Sequence, residues 1–437
     1  MKRLCHSSRS ILFTGAVAGM LGLLAGCGSA NASGPSAKPT LQVAIFSGPE
    51  AEQIAALAPQ YTKKTGVKIQ FVKLSYTTLF SKNLVSASAS QGTYDLIFMD
   101  DPWIPTFAGG GYLYPLSHFH YKPTGFLKGA LQVDQWPPSP SYKAPLGTKG
   151  QKQYYAVPVT GNVLTLFYNS TLLKKAHLSA NPQHFTWQDI NKLAAASYHP
   201  SQGEYGYVMR GKGGNSGVAD FSPILWAYGG HYFHSNWTSA LNSPQAVAAL
   251  KEWVTLYHYG PSGQTAFGAN QVGTYMEKNN TAAALVWPSG WAPQMPSDVK
   301  VTLVPGTTGS SQYPEIGVWS LGIPKNAPHP NTAFKFLQWI SAKNQQMHFA
   351  ASGLDVPTMK SVILNPALDK KWPYYVPVAE SIQMGHMRPR TPAWPEVEQV
   401  LGSEMVKAEQ GQVSPAKALQ TAADQINQYM KQHNLSK

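Results

Sequence analysis

Two carboxylates and an indole stand together in "DLIFMDDPW": Asp100, Asp101 and Trp103 follow the apolar run Leu96-Ile97-Phe98-Met99. Carboxylates accept hydrogen bonds from hydroxyl groups, and an aromatic face packs against apolar C–H surface at small entropic cost. The carboxyl end of a strand is also where α/β sheets place their ligands. The same residues read equally as a helix start, with Asp100 or Asp101 as N-cap and Pro102 at the first position. Both acids cannot be the cap, so at least one is expected to face a ligand.

Those residues need elements to hold them. "LQVAIF" reads as a buried strand, and "EAEQIAALAPQYTKK" repeats Ile54, Leu57 and Tyr61 on one helix face before the stop at Gly66. "VKIQFVK" is a second strand, Leu79 to Ala89 a helix, and Leu96 to Met99 a third strand, which is a parallel α/β pattern. "YYAVPVTGNVLTLFYN" is one long extended segment punctuated by Pro158 and Gly161. Thr186 caps "TWQDINKLAAA" with Asp189 completing an acidic capping box, and Ser243-Pro244 opens a further helix. "AAALVWPSGW" and "GVWSLGIP" read as strands, and Asn331 to Ala351 and Pro415 to Met430 as long helices.

Composition bounds the rest. The net charge is +13, yet only 13% of residues are charged and the excess comes from scarce acids rather than from basic clusters. Nucleic-acid binders concentrate their charge in a patch, so no nucleic acid is expected as a partner. Lys2, Arg3 and Arg9 precede the apolar stretch Ile11 to Leu24, as in a signal peptide. Leu24-Ala25-Gly26-Cys27 follows and resembles a bacterial lipobox. Residues 1–26 are therefore expected to be a cleaved signal and 27–39 a flexible tether, with Cys27 lipidated. Cys5 would leave with the signal, so no internal disulfide forms. The remaining length exceeds what one core usually serves, and two lobes are expected.

Catalytic signatures are missing. There is no G-x-S-x-G elbow, H-E-x-x-H helix or phosphate-binding fingerprint, and "GKGGNSG" has the wrong spacing for a P-loop. His118/His120 and His231/His234 lack a second ligand group at metal-site spacing. No catalytic residue, metal or cofactor is expected.

Six segments in order resemble the extracellular solute-binding proteins of ABC importers, in the family that includes maltose-binding protein. They are the amino-terminal unit ending in "KKTGVKI", "YDLIFMDDPWIPTFAGGGYLYPL", "YAVPVTGNVLTLFYNSTLL" with "FTWQDI", "AAALVWPSGW", "GVWSLGIPKNAPHPNTAFKFLQWI" and "RPRTPAWPEVEQVL". The resemblance implies an α/β fold of two lobes, each a mainly parallel sheet, hinged about a ligand cleft. It places lobe one at 40–158 plus 320–358 and lobe two at 163–316 plus 360–437. Crossings fall near Val159–Asn162, Gly317–Trp319 and Val356–Lys360. It implies a monomeric, lipid-anchored extracytoplasmic receptor that hands a sugar to a membrane permease. Its cleft residues would be Ser47, Glu50, Asp100, Asp101, Trp103 and Asn162, with Trp226, Trp291 and Trp394 as lobe-two aromatics. Asn162 stands where some maltose-binding relatives carry an acid, which argues against a maltose-type ligand. A glycerophosphate ester is an alternative ligand suggested by the basic balance and Arg388. A secreted glycoside hydrolase is the alternative of another class, but no acid partners the Asp100/Asp101 region as that chemistry requires.

Overall fold

Leu41, Val43, Ala44 and Ile45 are fully buried, and that near-continuous apolar run forms β1 (Thr40–Phe46) inside a covered sheet. The structure, a computed structural model, describes residues 38–138, 144–146, 148 and 150–436. The signal, Cys27 and nearly all of the tether lie outside them.

β2 (Lys68–Leu74) and β3 (Leu96–Asp100) flank β1 in parallel. A short antiparallel ribbon, β4 (Gln135–Trp136) with β5 (Gln153–Tyr154), precedes β6 (Ala156–Thr160). The chain then builds a second sheet from β7 (Thr165–Asn169), β8 (Tyr205–Tyr207), β9 (Thr281–Val286) and β10 (Val299–Thr302). It returns as β11 (Trp319–Gly322), which inserts antiparallel between β3 and β6. The orders are β2-β1-β3-β11-β6 and β10-β7-β9-β8. Each sheet is wrapped by helices around its own apolar core. This is the two-lobed α/β architecture of periplasmic binding proteins.

The extended run 154–169 is therefore two strands, and the chain changes sheets between Thr160 and Thr165. Gly161 N–H donates to the carbonyl of Val356 (2.7 Å), and Val163 bridges Ile316. The second sheet is mixed rather than mainly parallel, because β7 runs against both β9 and β10.

Local signals hold where they rest on hydrogen bonds. Gly66 adopts φ 77° beyond the helix Pro49–Thr65. Thr186 and Asp189 exchange capping bonds of 3.1 and 3.0 Å. The long helix expected from Asn331 to Ala351 is instead two, Pro330–Ile340 and Lys343–Ser352. Ser341 turns its hydroxyl back onto the carbonyl of Leu337 (2.8 Å), and Ala342 is extended, so the helical ladder stops there.

Candidate functional site

A cavity of about 650 Å³ lies where the loops after β1, β2 and β3 face those that follow β8 and β9. Its first wall is aromatic. Phe46 stacks on Trp319 (ring centroids 5.0 Å apart, planes 13° apart), and Tyr76 leans on Trp103 at 4.8 Å. Strand register explains this wall: Trp319 is paired opposite Asp100, so β11 delivers an indole beside the carboxylate that ends β3. Trp287 and Trp291 line the other side. Trp291 rests on Gly273, where a Cβ would come within 2.3 Å of its ring. The Arg210 guanidinium lies 5.5 Å from the Trp287 ring and is fixed by Asp220 behind it.

The floor is ionic and dry. Arg388, 1% exposed, reaches Asp100 at 3.1 Å, contacts Asp101, and lies 3.4 Å from Glu315 and 3.7 Å from Glu398. Tyr76 donates its hydroxyl hydrogen to Asp100 (2.8 Å), and Asn215 donates to both Tyr76 (3.1 Å) and Glu398 (2.9 Å). These bonds join Asp100 and Tyr76, which stand against the first core, to Asn215 and Glu398 on helices of the second. Four acids around Arg388, with Arg390 behind, leave a surplus of negative charge that burial penalises. Burial lifts the Glu398 carboxyl to about 7 against the pull of Arg388, and lifts Asp101 to about 6 against Arg388. Glu315 is pushed well above the carboxylate range, again by burial first.

Of the residues singled out in the sequence, the structure brings Ser47, Glu50, Asp100, Trp103, Asn162 and Trp291 to the cavity. The two readings of Asp100 meet in one side chain: it caps the following turn by accepting from Asp101 N–H (3.0 Å) and also faces the cavity. Three expectations need correction. Asp101 is fully buried behind the floor, turned to Arg388 and Arg390. Trp394 is fully buried and packs edge-on against Tyr232 in the second core, because it opens the helix Trp394–Glu409 on its inward face. Trp226 lies outside the cavity, against His386.

Phe46, Tyr76, Trp287, Trp319, Arg210 and Glu398 were not picked out from the sequence. One rule finds four of them. Phe46 ends β1, Tyr76 follows β2, Trp287 follows β9 and Arg210 follows β8, so each sits at a strand's carboxyl end like Trp103.

Residues 47–347 match the family model of the bacterial extracellular solute-binding protein. The chain belongs to that family. This solute-binding protein is 24% identical, over 63% of each chain, to a mannitol-binding protein of Pseudomonas aeruginosa. It is 21% identical to a probable amino-acid ABC transporter periplasmic-binding protein of Sinorhizobium fredii, over 76% of this chain and 75% of the relative. Solved folds agree along nearly its full length. A ribitol complex of a solute-binding protein from Agrobacterium radiobacter K84 superposes with a TM-score of 0.78 at 23% identity, covering 89% of this chain and 98% of the other. Maltose-bound MalE3 of T. maritima gives 0.77 at 22% identity, with coverage of 90% and 100%.

Proposed function

We propose that this solute-binding protein is the lipid-anchored receptor of an ABC importer and that its cavity takes a neutral polyhydroxylated solute, a sugar or a polyol. The observation that carries the reading is the pairing of an aromatic wall with a carboxylate already oriented by other bonds. Phe46, Tyr76 and Trp319 offer flat apolar area beside Asp100, whose oxygens are positioned by Tyr76 and Arg388. Such a site packs C–H faces and accepts from hydroxyls through a carboxylate whose charge is already met by Arg388. Relatives and structural neighbours named for mannitol, ribitol and maltose point the same way.

In this reading Ser47, Glu50, Asn162 and Trp291 complete the ligand shell, with Asp100 and Trp103 at its floor. The lobes are those read from the sequence, 40–158 with 320–358 and 163–316 with 360–437, turning on the segments near Gly161 and Gly317. Asp100 is held by both Arg388 and Tyr76, which leaves it bonded rather than free to serve as the nucleophile or base of glycosidic hydrolysis.

One observation supports a second ligand. Lys212 lines the cavity and, among the described residues, forms no ion pair, which suits a phosphate ester. Calorimetric titration with D-mannitol, ribitol, maltose and glycerol 3-phosphate separates the two. Saturable binding of a polyol or sugar, little altered by salt, is the expected result. Binding of the phosphate ester alone, lost at high salt, would replace the sugar reading.

A further inference from the structure

Asp355 is fully buried, and among the described residues no Lys, Arg or His pairs with it. It sits where four chain segments meet. Its Oδ1 accepts from Val356 N–H (2.9 Å) and lies 3.5 Å from the Ser289 hydroxyl, while its Oδ2 accepts from Thr160 Oγ1 (3.2 Å). Thr160 is the last residue of β6 before the chain changes sheets, and the same hydroxyl approaches the carbonyl of Glu50 (3.0 Å). Ser289 and Glu50 line the cavity. Next to Asp355, Gly290 N–H donates to Leu354 (2.7 Å) and Gly161 N–H to Val356 (2.7 Å). The carboxyl therefore joins the crossing segments to Ser289 directly and to Glu50 through Thr160.

A lone carboxylate in such a place is costly, because no cation compensates for its lost hydration. The groups that face it deepen the penalty. Glu50 approaches from the first turn of the helix Pro49–Thr65, with one carboxyl oxygen shut off from solvent and unpartnered. Tyr374 and Tyr375 stand at the start of the helix Tyr375–Met384, and the Tyr375 hydroxyl donates to the Asp355 carbonyl (2.7 Å). Asp100 and Arg210 face Glu50 in turn. Burial, then Glu50, pushes Asp355 well above the carboxylate range, and burial lifts Glu50 to about 7.

We propose that Asp355 is a positioning residue for the cavity, neutral when the receptor holds its solute, so that solute uptake is linked to a proton. With its proton, Asp355 ties β6 to Ser289 and, through Thr160, to the first turn of the helix Pro49–Thr65 around the cavity. Ionised, it must recruit water and repel Glu50, which separates those same segments. Affinity is then greatest on the acidic side and falls as the pH rises.

The inference rests on the sugar-receptor reading only for its choice of probe. Calorimetric titration with D-mannitol and maltose from about pH 5 to pH 8 should show wild-type affinity falling by roughly tenfold or more, with one proton taken up on binding wherever the affinity falls tenfold per pH unit. Asp355→Asn, which keeps the shape and stays neutral, should bind as the wild type does near pH 5 and change less than about threefold over the range. Equal pH slopes in the two proteins, or a flat wild-type profile, would overturn the proposal. If neither probe binds at any pH, the sugar reading fails and the ligand-free protein decides. The infrared absorption of protonated buried carboxyls near pH 6, to which Glu315 and Glu398 also contribute, must lose one component in the wild-type minus Asp355→Asn difference spectrum. A difference spectrum with no lost protonated-carboxyl component refutes a protonated Asp355.

Discussion

Replacing Arg388 by methionine would test the ionic floor most directly. The side chain keeps similar apolar length but removes a guanidinium that touches Asp100 (3.1 Å) and Asp101 and stands within 3.7 Å of Glu315 and Glu398. All four acids are at most 4% exposed, so water cannot replace the lost cation. Removing one member of a buried charge pair costs about 3–5 kcal/mol, and here several acids lose the same partner. Urea unfolding followed by tryptophan fluorescence at pH 7 should read a loss of that size. Lowering the pH should relieve it, because Glu398 and Asp101 already titrate at about 7 and about 6 beside Arg388 and go higher without it. The penalty should shrink by about 1.4 kcal/mol for each pH unit over which the folded variant holds one proton more than the folded wild type. A loss under about 1 kcal/mol at pH 7, or a loss no smaller at pH 5, would refute the argument, since either says the charges are not confined together.

Four further outcomes follow. Glu398 and Glu409 are both lifted from 4.5 to about 7 by burial, so the folded state binds the extra protons; their stabilising effect is complete below about 4.5 and is lost as the pH rises to about 7, and thermal unfolding should occur at higher temperature near pH 5 than near pH 8. Trp291→Ala should weaken solute binding by about 1–3 kcal/mol with little loss of stability, while Trp394→Ala should cost about 3–5 kcal/mol in unfolding and leave the affinity of the folded fraction unchanged. Small-angle scattering should show a smaller radius of gyration at saturating solute, and an unchanged radius would exclude closure of the lobes. Cys27→Ser should abolish membrane retention, read by fractionation and mature mass, since a diacylglyceryl group supplies the anchoring methylenes at about 0.8 kcal/mol each.

What the sequence displayed was whatever depends on neighbours along the chain. The buried run of β1, the αL stop at Gly66 and the Thr186 capping box are local, and each was legible. The change of sheet within 154–169 was legible as punctuation at Pro158 and Gly161. The floor of the site was not. Arg388 and Asp100 are 288 residues apart, and nothing near Asp101 marks it as the acid that turns inward while Asp100 turns out. Tryptophan counts misled in the same way. Trp394 and Trp291 each follow a Pro/Gly-rich turn, but a helix beginning at Trp394 points its ring into a core, whereas the turn around Gly290 leaves Trp291 at the rim. Orientation of that kind belongs to packing, and periodicity does not encode it.

The place of β11 sets an order of events for the growing chain. Its partners β3 and β6 are made early, yet β11 follows more than two hundred residues after β3, behind every strand of the second sheet. Until it arrives, β3 and β6 each present an unpaired edge, the kind of edge that recruits foreign strands. β7 to β10 all precede β11 in the chain, yet their core is completed by Trp394, Leu401, Leu419 and Ile426 of the carboxyl-terminal helices, which follow it. Neither core is therefore complete when β11 arrives, and joining β3 to β11 closes a loop around a sheet that still waits for its last covering helices. Such distant pairing is slow. For a member of an extracellular family, slowness at this step leaves the first sheet with open strand edges for longer.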